Sequence, residues 1–169
     1  MKEQERVMEG ELHGTLSYEK VKEMELLERC LREALRMYPP LIMLMRFVKK
    51  PRVYEGITIP QGNILVVSPS QSGRVPDVWK NPDTFDPDRY AEPRSEHEKI
   101  NHSSLAFGSG RHKCVGEQFA LLQVKSILSC ILRQYELEMV SPLPSVSYES
   151  LVVGPTAPRM MRFKKRTTW

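Results

Sequence analysis

The sequence predicts a mainly α fold with small β-sheets, and three observations support this expectation. Residues 17–38 and 117–135 repeat apolar side chains at the three- and four-residue spacing of amphipathic helices. Between them, residues 41–68 hold short runs of β-branched and aromatic residues separated by turn residues, which is typical of short strands. Residues 69–104 are punctuated by proline and predict a long irregular stretch, which in a compact domain is often functional.

The first predicted helix begins at Ser17, because a serine hydroxyl is well suited to cap free N–H groups. It ends at Pro39-Pro40, because proline lacks an N–H and restricts the residue before it. One face of this helix is apolar or aromatic except at Glu28. Its members are Val21, Met24, Glu28, Leu31, Leu35 and Tyr38. Residues 1–16 are expected to be the end of another helix and a loop.

The remaining elements follow from the same criteria. A glycine-rich loop, residues 105–116, precedes the second helix. Apolar side chains of that helix include Phe119, Leu122, Ile127 and Ile131. The predicted strands are Arg46–Val53, Ile64–Val67, Leu151–Val153 and Met160–Phe163.

Composition argues against several classes of protein. The net charge of +4 is spread along the chain, with one tight basic cluster at residues 164–166, so we expect no nucleic-acid partner. The 3 cysteines are odd in number and form no CxxC pair, which argues against a disulfide framework or a structural zinc site. No apolar run approaches the roughly 20 residues of a membrane span, and the charged N-terminus does not look like a signal peptide.

The loop before the second helix carries the clearest chemical signal. It reads Phe-Gly-Ser-Gly-Arg-His-Lys-Cys-Val-Gly over residues 107–116. A cysteine just before a helix lies near free backbone N–H groups, and these groups together with the helix dipole favour a thiolate. The three preceding basic residues add positive charge, and the glycines permit a tight turn and the close approach of a flat ligand. An iron–thiolate site requires these features.

This ten-residue run resembles the cysteine loop of the cytochrome P450 family. Two further signatures of that family follow the family order. Glu33-Ala34-Leu35-Arg36 matches the ExxR motif of the helix, and the segment from Phe85 to Arg89 matches Phe-x-Pro-x-Arg. The resemblance implies that the chain is the C-terminal, proximal, haem-binding part of the P450 fold, with residues 1–169 forming one partial domain.

The resemblance also implies a set of roles for named residues. Cys114 would be the axial ligand of the iron of haem b (iron protoporphyrin IX). Glu33, Arg36 and Arg89 would form a triad that ties the proline-rich stretch to the helix. The other residues implied at the cofactor are Arg46 and His112 at the haem propionates and Phe107, Gly108, Gly110 and Gly116 around the loop. The remaining histidines, His13, His97 and His102, are expected to be solvated.

Within the family, the chain is most similar to the sterol 14α-demethylases, and to the protozoan type among them. The likeness lies in residues 41–46, 119–125 and 152–156. In that family the residues just before the propionate arginine line the sterol cavity, and a strand turn near the C-terminus supplies another wall of it. The substrate-lining residues implied here are Leu41, Met43, Met45, Leu151 and Val152, and methionine suits such a wall because its thioether adapts to shape.

The implied reaction is the oxidative removal of a sterol 14α-methyl group with dioxygen and electrons from NADPH-cytochrome P450 reductase. Arg111 and Lys113 would face this acidic partner, or they are simply solvated. The parent protein would lie on the cytosolic face of the endoplasmic reticulum membrane, through an N-terminal anchor that we expect this chain to lack along with the segment over the distal haem face. Two alternatives stay open: a P450 of another substrate class, and a non-catalytic, truncated haem-binding fragment.

Overall fold

The computed structural model describes residues 1–142, 144–150, 152–157 and 160–169. Its α-helices within these ranges are α1 (Lys2–Val7), α2 (Tyr18–Lys22), α3 (Glu25–Met37), α4 (Pro69–Ser72) and α5 (Glu117–Gln134). Short 3-10 turns lie at Pro87–Tyr90, Glu96–Glu98 and Gly110–His112. The strands are β1 (Leu44–Phe47), β2 (Arg52–Tyr54), β3 (Ile57–Ile59), β4 (Ile64–Val67), β5 (Tyr135–Met139), β6 (Val146–Ser147), β7 (Gly154–Pro155) and β8 (Met161–Lys165). The described residues therefore combine helices with small sheets, as predicted.

The first predicted helix is divided into α2 and α3, and here the prediction of one continuous helix was wrong. Ser17 caps α2 as expected, because its hydroxyl accepts a hydrogen bond from the N–H of Lys20 at 3.2 Å. A second helix start follows because the Glu3 carboxylate, from α1, accepts hydrogen bonds from the N–H groups of Leu26 and Leu27 at 2.5 and 3.0 Å. A capping group from another helix satisfies donors that a continuous helix would have bonded internally.

The strands form antiparallel pairs in two-stranded sheets: β1 with β4, β2 with β3, β5 with β8 and β6 with β7. The predicted strand Arg46–Val53 is interrupted at Lys49-Lys50-Pro51, where Pro51 has no N–H to donate. Strand β5 was missed, since it directly continues α5. Of the predicted strand Leu151–Val153, Leu151 lies outside the described residues and Val152 forms an isolated bridge with Leu41.

Helix α5 buries a polar face. The buried side chains recur every fourth residue at Glu117, Leu121, Lys125, Ser129 and Arg133. Each polar member has a partner: Lys125 pairs with Glu28, Ser129 donates to Gln4, and Arg133 donates to two backbone carbonyls. The apolar side chains Phe119 and Ile127, which helped to predict this helix, are instead exposed.

The proline-rich stretch between β4 and the cysteine loop has little regular structure, as predicted. Its small core consists of Val78, Trp79 and Tyr90. The Trp79 indole donates a hydrogen bond to the carbonyl of Ser72 at 3.0 Å, and its ring lies 5.9 Å from the ring of Tyr90. This core holds the stretch against α3, because the Tyr90 hydroxyl donates to the carbonyl of Arg32 at 3.2 Å. None of the helices in the described ranges has the length and apolar character needed to span a membrane.

Candidate functional site

Cys114 lies in the loop immediately before α5, with a free and exposed thiol. The loop folds back on itself, because the N–H of Cys114 donates to the carbonyl of Phe107 at 2.8 Å and the N–H of Lys113 donates to Gly110 at 3.1 Å. These two bonds fix the backbone that leads into the cysteine from its N-terminal side. The thiol is therefore presented to solvent from a turn whose shape is set by its own backbone.

Two glycines make this turn possible. Gly108 and Gly110 have φ values of 69° and 63°, a left-handed conformation that side chains disfavour. A Cβ atom at Gly108 would also lie 3.4 Å from the carbonyl oxygen of His112. Gly116 differs, because its φ of −86° is ordinary and it forms the N-cap of α5. A side chain there would instead contact the Cys114 sulfur, with the Cβ at 3.7 Å.

The basic residues of the loop have different surroundings. Lys113 Nζ lies 2.7 Å from Oε2 of Glu117, the first residue of α5. Glu117 is buried, and its other carboxylate oxygen lies 3.5 Å from the guanidinium of Arg32 in α3. Arg111 and His112 are both exposed. The loop is thus connected to two helices through one carboxylate.

The predicted triad forms in the structure. All three members are buried. Two nitrogens of Arg36 each donate to a different oxygen of Glu33 at 2.8 Å, which is the forked geometry expected for a strong guanidinium–carboxylate pair. Arg89 Nε donates to Glu33 at 3.0 Å. Glu33 accepts a further bond at 2.9 Å from the N–H of Asp86, so it binds the proline-rich stretch through backbone and side chain.

The network extends beyond the triad to a second buried carboxylate. Glu96 Oε2 lies 2.6 Å from Arg89 Nη1 and accepts the N–H of Lys80 at 3.1 Å. Arg94 then links Glu96 to Asp86, both at 2.7 Å. The resulting cluster holds three carboxylates and three guanidinium groups, so its formal charges cancel. Burying such a charge-balanced cluster costs less free energy than burying the same groups without partners.

These contacts shift the acidities of the carboxylates. Burial by itself would raise the pKa of Glu33, but hydrogen bonds from Arg36, the N–H of Asp86 and Arg89 outweigh it and lower the pKa. The pKa of Glu96 is lowered for the same reason. Burial by itself would raise this pKa, but hydrogen bonds from Arg94, the N–H of Lys80 and Arg89 outweigh it. Hydrogen bonding from Arg94 is the main cause of the lowered pKa of Asp86. The carboxylates of the cluster are thus favoured in their charged form.

The cluster also gathers backbone carbonyls of the proline-rich stretch. Arg36 Nη1 donates to the carbonyl of Gly73 at 2.5 Å, and Arg89 donates to the carbonyls of Lys80 at 2.9 Å and Thr84 at 3.1 Å. The Arg36 guanidinium also lies 5.4 Å from the centre of the Trp79 ring, within the range of a cation–π contact. The buried arginines therefore organise a segment that lacks regular hydrogen bonding.

Arg46 and the described residues of the predicted sterol wall lie on exposed surface, whereas Phe107 is half-buried and Leu151 lies outside the described residues. Arg46, in β1, is exposed, and its Nη1 donates to the carbonyl of Met45 at 2.8 Å. Leu41 and Val152 are brought together by an antiparallel bridge, and the N–H of Val153 donates to the carbonyl of Pro40 at 2.9 Å. The exposed residues of the predicted sterol wall are Leu41, Met43, Met45 and Val152. Their proposed contacts with haem and sterol stay predictions.

One histidine prediction was wrong. His13 and His102 are exposed as expected, but His97 is partly buried and its ring lies 5.1 Å from that of Tyr90. Burial is the main cause of a lowered pKa of His97. The reason is tertiary: residues 96–98 form a 3-10 turn that packs onto the turn containing Tyr90.

Sequence reasoning missed Glu96 and Glu117, which have central positions in the two ion networks. A single glutamate among 21 acidic residues gives no signal of its own. Glu117 lies at the first position of α5, where a carboxylate is favoured by the helix dipole, and this ordinary explanation conceals its contact with Arg32.

The residues of the loop fit a haem held through sulfur. Cys114 offers an exposed thiol with no disulfide partner, and its neighbour Val115 is fully exposed, which suits a large apolar ligand beside the sulfur. Gly108 and Gly110 have no side chain that would keep a flat ligand away from the loop backbone. The exposed Arg111 and His112 side chains could contact the anionic propionates of a haem. Cytochromes P450 hold haem through a cysteine thiolate.

Several curated proteins are similar in sequence to this chain. Sterol 14-demethylase from Arabidopsis thaliana is 44% identical over 161 residues, covering 91% of this chain and 33% of the relative. Obtusifoliol 14-alpha demethylase from Triticum aestivum is 42% identical, covering 98% of this chain and 38% of the relative. Lanosterol 14-alpha demethylase from Homo sapiens is 38% identical, covering 94% and 31%. The chain thus spans about a third of the length of these curated relatives.

The fold has a counterpart among solved structures. The structure of retinoic acid bound cyanobacterial CYP120A1 matches with a TM-score of 0.86, over 98% of this chain and 39% of that chain. At 24% identity this likeness shows the fold, which is a part of the cytochrome P450 fold. The family model for cytochrome P450 matches residues 1–163. The chain therefore belongs to the cytochrome P450 family.

Proposed function

We propose that the chain is the haem-thiolate portion of a monooxygenase that removes the 14α-methyl group of a sterol. The observation that carries the proposal is the exposed Cys114 thiol on a glycine-shaped turn before α5, in a chain anchored by the buried Glu33 cluster. The three relatives named above are sterol demethylases and are about 40% identical to this chain over the aligned residues, which supports the substrate class.

In this proposal each set of residues has a distinct task. Cys114 would bind the iron of haem b, and Arg46 and His112 would pair with its propionates. Phe107 and the loop glycines keep the backbone close to the macrocycle. The bound haem supplies dioxygen activation, which a thiolate ligand promotes by donating electron density. The ion pairs that Glu33 forms with Arg36 and Arg89 hold the proline-rich stretch in a fixed position. This stretch leads directly into the cysteine loop.

The apolar wall formed by Leu41, Met43, Met45 and Val152 is proposed to contact the sterol. Two of these residues are already paired by the bridge between Leu41 and Val152, so the wall joins two distant segments of the chain. Methionine side chains there can adapt to a rigid ring system. The protozoan subtype of the resemblance and the contribution of Leu151 stay predictions.

The electron donor is proposed to be NADPH-cytochrome P450 reductase, on the cytosolic face of the endoplasmic reticulum membrane. An acidic partner would meet the exposed Arg111. Lys113 contributes less positive charge than the sequence suggests, because its ammonium group is paired with Glu117. Arg111 is therefore expected to matter more than Lys113 for the salt dependence of electron transfer.

The test of the ligand is a difference spectrum of the purified chain with added haem, recorded after reduction and addition of carbon monoxide. We expect a thiolate-type Soret band for wild type and for Cys130→Ser, whose half-buried cysteine is the matched control, and no such band for Cys114→Ser. Equal spectra for wild type and Cys114→Ser would refute the ligand assignment.

The substrate class is tested separately, by incubating the haem-loaded chain with a 14α-methyl sterol, reductase and NADPH. The expected product lacks the methyl group and is detected by mass spectrometry. A thiolate-type spectrum without demethylation would instead support a P450 of another substrate class or a non-catalytic haem-binding fragment.

A further inference from the structure

An ion ladder connects the cysteine loop to α3 through Glu28 and Arg32, separately from the pair of Glu33 and Arg36. Arg32 donates to Glu28 Oε1 through two nitrogens at 2.8 and 3.1 Å, and Glu28 Oε2 lies 3.2 Å from Lys125 Nζ. At the other end, Arg32 Nη1 lies 3.5 Å from Glu117. Charges alternate along the whole series, which ends at Lys113 next to the proposed iron ligand.

Glu117 is the member of this ladder that joins the loop to the helices. It is 7% exposed and lies three residues after Cys114, so its carboxylate turns inward beneath the loop. A buried carboxylate needs cationic partners, and Glu117 has one from α3 and one from the loop itself. A small cavity of about 140 Å³ is lined by Arg32, Phe107 and Gly108 as well as by the Lys113–Glu117 pair. The loop and α3 therefore face each other across the space that Glu117 borders.

The remaining polar restraints on the cysteine are short-range. Within the described ranges, the backbone N–H groups of Lys113 and Cys114 donate to Gly110 and Phe107, inside the same loop. These bonds give the turn its shape but do not fix its position against the rest of the fold. The Lys113–Glu117–Arg32 contacts supply a polar connection from this part of the loop to α5 and α3.

We propose that Glu117 is a positioning residue for Cys114: it holds the cysteine loop against α3 by binding Lys113 and Arg32 together. The proposal rests on the function proposed above, in which Cys114 is the iron ligand. It assigns a role to the first residue of α5 that is separate from the general benefit of a carboxylate at a helix N-terminus. The position of the sulfur is thereby set by α3, the same helix that holds the Glu33 cluster.

The first test needs no haem. Amide hydrogen exchange of the full chain, followed by mass spectrometry, would be compared for wild type, Glu117→Gln and Lys113→Met. The second variant removes the same ion pair from its half-exposed side and leaves the buried carboxylate with Arg32, so it tests the connection where Glu117→Gln impairs folding. The control is Glu138→Gln, which breaks an exposed pair with Arg162.

We expect exchange of the peptide that contains Lys113 and Cys114 to become faster by a factor of roughly two to five in both variants, while α3 keeps its protection. Glu117→Asp, which retains the charge, should restore part of the protection. Unchanged exchange in Lys113→Met, or a loss of protection spread equally over loop and helices in Glu117→Gln, would overturn the proposal.

A second readout separates positioning from plain stability. In haem-loaded protein that has been reduced and exposed to carbon monoxide, Glu117→Gln should lower the fraction with a thiolate-type spectrum, and Glu117→Asp should raise it again. An unchanged thiolate fraction would contradict the role of Glu117. Whether Cys114 is the iron ligand is tested independently, by comparing the spectra of wild type and Cys114→Ser. If that comparison refuted the ligand, the exchange experiment would still decide whether Glu117 positions the cysteine loop.

Discussion

At the scale of single residues, the Glu33 carboxylate is the point on which buried charge converges. It accepts hydrogen bonds from Arg36, from Arg89 and from the N–H of Asp86. Arg36 and Arg89 are themselves buried, so water cannot replace the Glu33 carboxylate as their partner. Removing the charge would leave two guanidinium groups facing each other inside the protein.

We therefore expect Glu33→Gln to lower the free energy of unfolding by about 3–5 kcal/mol, the usual cost of leaving a buried charge unpaired. Urea denaturation at neutral pH measures this change. Glu138→Gln serves as the control, because the Glu138–Arg162 pair is exposed and such pairs contribute about 0–1 kcal/mol. If the two variants unfolded at the same urea concentration, the Glu33 cluster would not be a major source of stability.

Residue-level prediction depended on motifs that fix the spacing, and the contacts of Glu33 with Arg36 and Arg89 are present in the structure, whereas the role of Cys114 as iron ligand stays a prediction. Cys114, Glu33, Arg36 and Arg89 all belong to short patterns whose letters are close together in the sequence. Glu96 was not predictable, because its contact with Arg89 depends on how the irregular stretch turns between them. The sequence carries the chemistry of a triad, whereas burial and neutralisation of the whole cluster are decided by tertiary folding.

At the scale of elements, α3 begins where it does because another helix caps it. The Glu3 carboxylate binds the N–H groups of Leu26 and Leu27, so α1 is tied to α3 through free donors. The apolar spacing over residues 17–38 continues across this junction, and periodicity alone therefore predicts one helix. A cap that comes from more than 20 residues away in sequence cannot be recognised from local pattern.

We expect Glu3→Ala to destabilise the chain by about 1 kcal/mol, within the range for the loss of an N-terminal cap. Glu5→Ala is the matched control, because Glu5 also lies in α1 and is exposed. Amide exchange at Leu26 and Leu27 should become faster in the Glu3 variant alone. Equal exchange in the two variants would show that the cap contributes little.

The packing of His97 makes the contact between the proline-rich stretch and α3 sensitive to pH. Burial is the largest cause of its lowered pKa, opposed by Glu98 and Glu92 and assisted by Arg32. Because the folded chain holds the proton less tightly than the unfolded chain, unfolding takes up protons in acid. Stability should therefore fall as the pH drops below the ordinary value of 6.5.

We expect the free energy of unfolding to decrease between about pH 7.5 and about pH 5.5, and His97→Gln to flatten this slope. His13→Gln, at an exposed position, should leave the slope as in wild type. Denaturant titrations at several pH values provide the measurement. A slope unchanged by His97→Gln would assign the pH dependence to other groups. The lowered pKa values of Glu33 and Glu96 predict a further loss below pH 4.5, the ordinary glutamate value.

At the scale of the whole molecule, much apolar surface faces outward in the described residues. Strands β1 and β4 expose Phe47, Ile64 and Val66, and α5 exposes Phe119 and Ile127. Helix periodicity alone cannot reveal this, because an apolar stripe normally indicates a buried face. Here the buried face of α5 is held by ion pairs and hydrogen bonds, so the apolar side chains remain on the outside.

We expect the chain in isolation to bind a hydrophobic dye and to self-associate, because exposed apolar patches of this kind favour association. The double variant Phe119→Gln, Ile127→Gln should reduce both effects in dye fluorescence and light scattering. Its unfolding should change by less than about 1 kcal/mol, because both side chains are already more than half exposed, at 68% and 51%.

The matched control is Leu121→Gln on the buried face of the same helix. Leu121 is 4% exposed, so this change leaves a polar group in a packed contact and should cost about 2–5 kcal/mol. If the double variant were as unstable as Leu121→Gln, α5 would bury its apolar side in solution, in conflict with the ion pairs made by Lys125 and Glu117. The comparison therefore determines which face of α5 holds the molecule together, and with it whether the cysteine loop is anchored through charge or through apolar packing.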